Sequence, residues 1–174
     1  MILYHGSNIE VKEPKILVSD RKLDFGTGFY LTSSYEQAER WAKLTTMRRN
    51  EGKSIVSVFE YDESNQSDLK VLSFKKSDKN WLFYVTNNRT NPNASDDFDL
   101  VIGPVANDKT YPVIALYFSG IYDIEETIKR LLPQKLKDQY AFKTVKALNY
   151  LKFKEVIIKW IKKCLSYWLI IIKK

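Results

Sequence analysis

A chain of 174 residues is expected to form one domain with enough material to bury a core. Its 44% hydrophobic and 28% charged content places it with soluble globular proteins, and the single Cys164 excludes an internal disulfide framework and fits a reducing compartment. Charge is uneven: residues 129–174 carry 13 Lys and Arg against Asp138 and Glu155, a net +11, which leaves 15 basic against 19 acidic residues, −4, on residues 1–128. A basic end of this kind suits an anionic partner, or it covers solvated helix faces with lysine. No signal-peptide pattern opens the chain, so the expected location is cytoplasmic.

Ile2-Leu3-Tyr4 is a short apolar strand that runs into His5-Gly6-Ser7. His5 is the only histidine, and it is either a hydrogen-bonded structural residue or one wall of a site. Residues 8–23 are polar with isolated apolar positions and are expected to form a loop. Asp24-Phe25-Gly26-Thr27-Gly28-Phe29-Tyr30-Leu31-Thr32 then places two glycines ahead of a strand-forming Phe-Tyr-Leu-Thr run. Such a loop is a plain tight turn, or it holds a ligand beside an aromatic ring.

Ser34 and Gln37 have the spacing of a capping box, which predicts a helix to about Asn50, with Gly52 as the stop and Trp41 in the core. Ser54 to Tyr61 and Leu69 to Phe74 are expected strands, forming a hairpin-like pair across the polar turn 62–68. Ser77 is the expected cap of a helix carrying Trp81, Leu82, Tyr84 and Val85, and 87–97 is expected as an exposed loop with Asp96 and Asp97 solvated.

Phe98 to Pro104 is a strand, Asn107-Asp108 a loop, and Tyr111 to Ser119 helical or mixed. Asp123 and Glu126 start a helix to about Leu132. Lys137 to Lys143 alternates as a strand, Thr144 caps a short helix, and Phe153 to Ile158 is a last strand. The nine residues Cys164–Ile172 are too short for a membrane span, so packing or oligomerisation is preferred over an interfacial anchor.

Strands scattered among helices without regular alternation indicate an α+β fold. One His and one Cys cannot make a Cys/His zinc site, and no metal is expected. No P-loop, Rossmann fingerprint or nucleophile elbow is present.

Leu3-Tyr4-His5-Gly6-Ser7, Phe25-Gly26-Thr27-Gly28-Phe29-Tyr30-Leu31-Thr32 with its following helix, and Asp138-Gln139-Tyr140-Ala141-Phe142 together resemble the diphtheria-toxin-like (H-Y-E) branch of the ADP-ribosyltransferases, which includes the poly(ADP-ribose) polymerases. Residues 1–157 as a whole look like a bacterial family of unknown function in the same clan, leaving 158–174 as a basic, apolar extension. The resemblance implies an ADP-ribosyltransferase-like split pair of sheets gripping NAD+. His5 would bond the adenosine ribose, and Gly6, followed by Ser7, would hold the nicotinamide carboxamide on its backbone. Tyr30 would stack on the nicotinamide, and the Gly26-Thr27-Gly28 loop would admit the dinucleotide. Gln139 would reach the 2′-OH of the nicotinamide ribose.

The resembling enzymes carry Glu where this chain has Gln139, an acceptor without negative charge. That favours mono-ADP-ribosylation over polymer formation, with a protein or nucleic acid as acceptor, in a toxin or defence effector. NAD+ hydrolysis and a catalytically degenerate NAD+ or macromolecule-binding module are the alternatives. The implied partners are the acceptor, an antitoxin or a second copy of the chain; membrane contact is not expected. Asp138 is next to Gln139 but points to the opposite strand face.

Overall fold

The computed structural model describes residues 1–16, 23–106, 110–134 and 136–158. The readings of Asn107-Asp108 and of the 164–172 tail lie outside those residues. The fold is α+β, built on two sheets. Strands β1 (Ile2–Ser7), β3 (Ile55–Tyr61) and β7 (Leu151–Ile158) form an antiparallel sheet in the order β1-β3-β7. Strands β2 (Phe29–Leu31), β4 (Val71–Ser73), β5 (Leu100–Pro104) and β6 (Asp138–Phe142) form the second, in the order β2-β6-β5-β4.

Period-2 alternation decides which faces meet. Leu3 of β1 and Phe59 and Tyr61 of β3 face Phe29, Leu31, Leu100, Tyr140 and Phe142 of the second sheet, forming one apolar layer between the sheets. The opposite face of the second sheet, with Val101 and Ala141, is covered by helices α2 (Lys79–Thr90), α3 (Tyr111–Phe118) and α4 (Ile124–Leu131) through Trp81, Leu82, Val85, Ile114 and Leu131. Helix α1 (Tyr35–Arg49) covers the outer face of the first sheet with Ala38 and Ala42 on Val56. A short α5 (Val145–Leu148) is capped by Thr144 and leads into β7.

Several sequence expectations are corrected. The strand after the 62–68 turn does not pair with β3; β4 lies parallel to β5 in the other sheet. Asp78, not Ser77, caps α2, accepting from the backbone N–H of Asn80 and Trp81. That helix continues to Thr90 because Asn88 bonds back to the Tyr84 carbonyl and Arg89 gains an ion-pair partner. Asp96 is not solvated: it accepts from the Lys143 ammonium at 2.6 Å and from the Tyr84 hydroxyl. The capping box of α1 is half formed, since Gln37 donates its backbone N–H to Ser34 Oγ but sends its amide to the Asp138 carbonyl. The helix ends on Asn50 in the left-handed conformation, ahead of Gly52.

Trp41 is 40% exposed rather than core. Helix α1 lies so close to β1 that a Cβ on Gly6 would sit 2.0 Å from the Ala38 carbonyl oxygen. Only small side chains fit at that contact, and the large ones flank it.

Candidate functional site

The two sheets touch edge to edge at one point. Tyr4 N–H donates to the Thr32 carbonyl at 2.9 Å and Thr32 N–H to the Tyr4 carbonyl at 3.0 Å. Antiparallel strands turn alternate residues toward alternate neighbours. Met1 exchanges bonds with Tyr61, so the odd residues of β1 serve β3, and Tyr4 and Gly6 turn their backbone groups the other way. Tyr4 uses its pair on Thr32. Gly6, two residues on, directs its N–H and C=O into the gap where β1 and β2 diverge, and neither has a partner among the described residues. That gap is a cleft of about 910 Å³.

His5, Gly6, Ser7, Gly28, Tyr30 and Gln139 all line this cleft. Gly26 and Thr27 do not. Gly26 holds a left-handed turn (φ 77°), and the sides where Gly26 and Gly28 lack a Cβ are filled by Asn88 and by the Phe142 carbonyl. These two glycines therefore serve the protein's own packing.

His5 stacks on Phe29, ring centres 4.4 Å apart, and its Nδ1 lies 2.8 Å from the Tyr30 carbonyl oxygen. A carbonyl only accepts, so Nδ1 carries the proton and Nε2 is left as an acceptor. Burial pushes the His5 pKa below its ordinary 6.5, partly opposed by the bond to the Tyr30 carbonyl. A lowered histidine pKa means the neutral form is favoured in the folded state. Its stabilising contribution is complete above pH 6.5 and is lost as pH falls toward the folded-state pKa. We predict a loss of melting temperature beginning just below pH 6.5, above the carboxylate range, that His5→Phe removes; an unchanged pH profile in that variant would contradict it.

Tyr30 reaches back over its own turn. Its hydroxyl donates to the Gly26 carbonyl at 2.6 Å and accepts from Phe25 N–H at 3.1 Å. Burial, reinforced by the charge of Asp24, pushes its pKa up, so the phenol stays protonated. The ring is thereby held in one position on the cleft wall.

Directly paired residues share a sheet face, so Tyr30, opposite Ala141, lies on the same face as Gln139. Gln139 is buried, and its Nε2 donates to Asp24 Oδ2 at 3.2 Å. Because the carboxylate can only accept, the amide orientation is fixed and Oε1 is the atom left over, with no partner among the described residues. Asp24 in turn accepts from Ala106 N–H at 3.1 Å, and from Arg89 Nε and Nη2 at 2.8 and 2.5 Å. Asp138 is tied to Thr32 and Ser33 and is not part of the cleft wall. Asp24 and Arg89 are the residues that sequence reasoning left unassigned. No spacing links positions 24, 89 and 139; only the fold brings them together.

One face of α1 adds Trp41, Thr45, Arg48 and Arg49 to the cleft. Arg49 donates to Asn8 Oδ1 at 3.0 Å. Glu10 and Glu13 line the same mouth. The cleft thus combines an open backbone edge, the rings of Tyr4, Phe29, Tyr30 and Trp41, an amide acceptor and guanidinium groups. Among the described residues no group of three His, Cys, Asp or Glu side chains could hold a metal ion, and no helix is long and apolar enough to cross a membrane.

A family model described as "Protein of unknown function (DUF3990)" matches residues 1–153. No curated protein and no solved structure matches the chain.

Proposed function

We propose, for a chain that belongs to the DUF3990 family, that the cleft between the two sheets binds NAD+ and that the protein cleaves the nicotinamide–ribose bond to transfer one ADP-ribosyl unit to a protein or nucleic acid. The open edge of Gly6 carries the reading. An N–H and a C=O of one residue, both facing a cleft, match the acceptor and donor of a carboxamide, as a neighbouring strand would. Tyr30, fixed at the hydroxyl end, offers its ring to the nicotinamide. His5 presents Nε2 as an acceptor for a ribose hydroxyl. Gln139 Oε1 accepts from the hydroxyl of the nicotinamide ribose and stabilises the positive charge that grows there as the bond breaks. The adenosine end lies along α1, where Trp41 supplies a ring and Arg48 and Arg49 supply charge for the pyrophosphate.

Incubation with NAD+ labelled in the adenosine half tests this. The expected result is release of nicotinamide and transfer of label to a macromolecule. Free ADP-ribose without acceptor would make the protein a hydrolase, and binding without turnover would make it a binding module, a reading that the uncharged Gln139 favours. Neither binding nor turnover would end the proposal. Tyr30→Ala and Trp41→Ala are each expected to weaken NAD+ binding about tenfold or more, the worth of one ring stacked on a base. Calorimetric titration with NAD+ measures this; unchanged affinity in both variants would place the ligand elsewhere.

A further inference from the structure

Gln139 is neutral, yet a carboxylate stands one hydrogen bond behind it. We propose that Asp24 is a positioning residue for the cleft: its carboxylate turns the Gln139 amide so that Oε1 faces the ligand, and it polarises that amide. The inference rests on the NAD+ reading for its chemistry, but not for its geometry.

Asp24 Oδ2 accepts from Gln139 Nε2 and from Ala106 N–H, while Oδ1 takes two bonds from Arg89. Every contact of the carboxylate is a donor, and the four come from β6, the segment after β5, and α2. A free amide can turn over and present either its N–H2 or its C=O to the cleft. Opposite an anion only one orientation survives. The bond also polarises the amide, drawing the Nε2 proton toward Asp24 and increasing the electron density on Oε1. Arg89 compensates the charge that burial would otherwise penalise, and it lines the cleft beside Asp24.

Reversal of the pair tests this. In D24N the donor at 139 loses its anion. In Q139E two carboxylates face each other. In D24N/Q139E the amide at 24 donates to the carboxylate at 139, at the cost of the bond that Oδ2 accepts from Ala106 N–H, and the charge moves one bond closer to the ligand. Melting temperature is measured from pH 4 to 8 for all four proteins, with kcat and KM for nicotinamide release.

Q139E is expected to lose stability as pH rises through the carboxylate range, and the double variant to recover most of it, less the Ala106 N–H bond. Each single variant is expected to lose about 100-fold in kcat, the scale of one charge-stabilising hydrogen bond, with KM nearly unchanged. The double variant is expected to return to within about threefold of the original kcat, a small part of that single-bond effect. A residue that only braces the fold would show no reciprocal rescue of kcat. If the double variant is no more stable than Q139E at pH 8, or if Q139E keeps full kcat, the inference is overturned. If the original protein neither binds nor cleaves NAD+ while the stability rescue holds, the NAD+ reading falls and the orienting role of Asp24 stands.

Discussion

Gly6→Ala is expected to destabilise the protein by about 3 kcal/mol, the upper end for forcing extra volume into a packed interior. The added Cβ would lie 2.0 Å from the Ala38 carbonyl oxygen and 2.8 Å from Ala42 N. Both are backbone atoms of α1, so no side-chain rotation relieves the clash; the whole helix must withdraw from β1. In a chain of this length such a loss corresponds to a fall of roughly 6–12 °C in melting temperature. Calorimetry measures it. The same withdrawal moves Trp41, Arg48 and Arg49 off the cleft, so any ligand binding there falls too. A melting temperature within 2 °C of the original, where about 1 kcal/mol is the most such a shift allows, would show that α1 does not press on Gly6 as described.

Arg89→Ala is the second large effect. Asp24 and Arg89 side chains are 9% and 18% exposed, so the pair is poorly screened. Removing the guanidinium leaves a buried carboxylate with only the Ala106 N–H and the Gln139 amide, at an expected cost of about 3 kcal/mol. Asp24→Asn combined with Arg89→Ala should cost less than Arg89→Ala alone, because the uncompensated charge is gone. Chemical denaturation of the two singles and the double gives the coupling directly. A double variant less stable than Arg89→Ala would mean that the carboxylate is not what the arginine compensates.

The secondary structure was largely legible from local signals. Ser34, Asp123 and Thr144 cap the helices expected to follow them, alternation marks β3 and β6, and an apolar run ended by Gly-Pro marks β5. What was not legible depended on partners far away in the chain. Val71–Ser73 reads as a hairpin strand because it follows β3 closely, but its hydrogen-bonding partner is β5. Trp41 reads as core because it sits on the apolar stripe of α1, but the tight contact at Gly6 has room only for alanine. Asp96 reads as solvated in an Asn- and Asp-rich run, but Lys143 comes to meet it.

The same division holds at the cleft. His5, Gly6, Tyr30 and Gln139 stood out by residue type and by their place beside glycines or on strands. Their convergence follows from the single junction between sheets at Tyr4 and Thr32. Asp24 and Arg89 carry no local mark, since an acid before a glycine turn and an arginine late in a helix are common surface features. Their pairing is a product of the turn before β2 meeting the end of α2.

We propose that the open edge of Gly6 and the ring of Tyr30 receive the nicotinamide end of NAD+. The most direct measurement is a crystal structure with a non-hydrolysable NAD+ analogue. The expected structure has the carboxamide bonded to Gly6 N–H and C=O, the nicotinamide ring stacked on Tyr30, and its ribose hydroxyl within hydrogen-bonding distance of Gln139 Oε1. An analogue bound with its carboxamide away from Gly6, or a cleft that stays empty at saturating analogue, would contradict it.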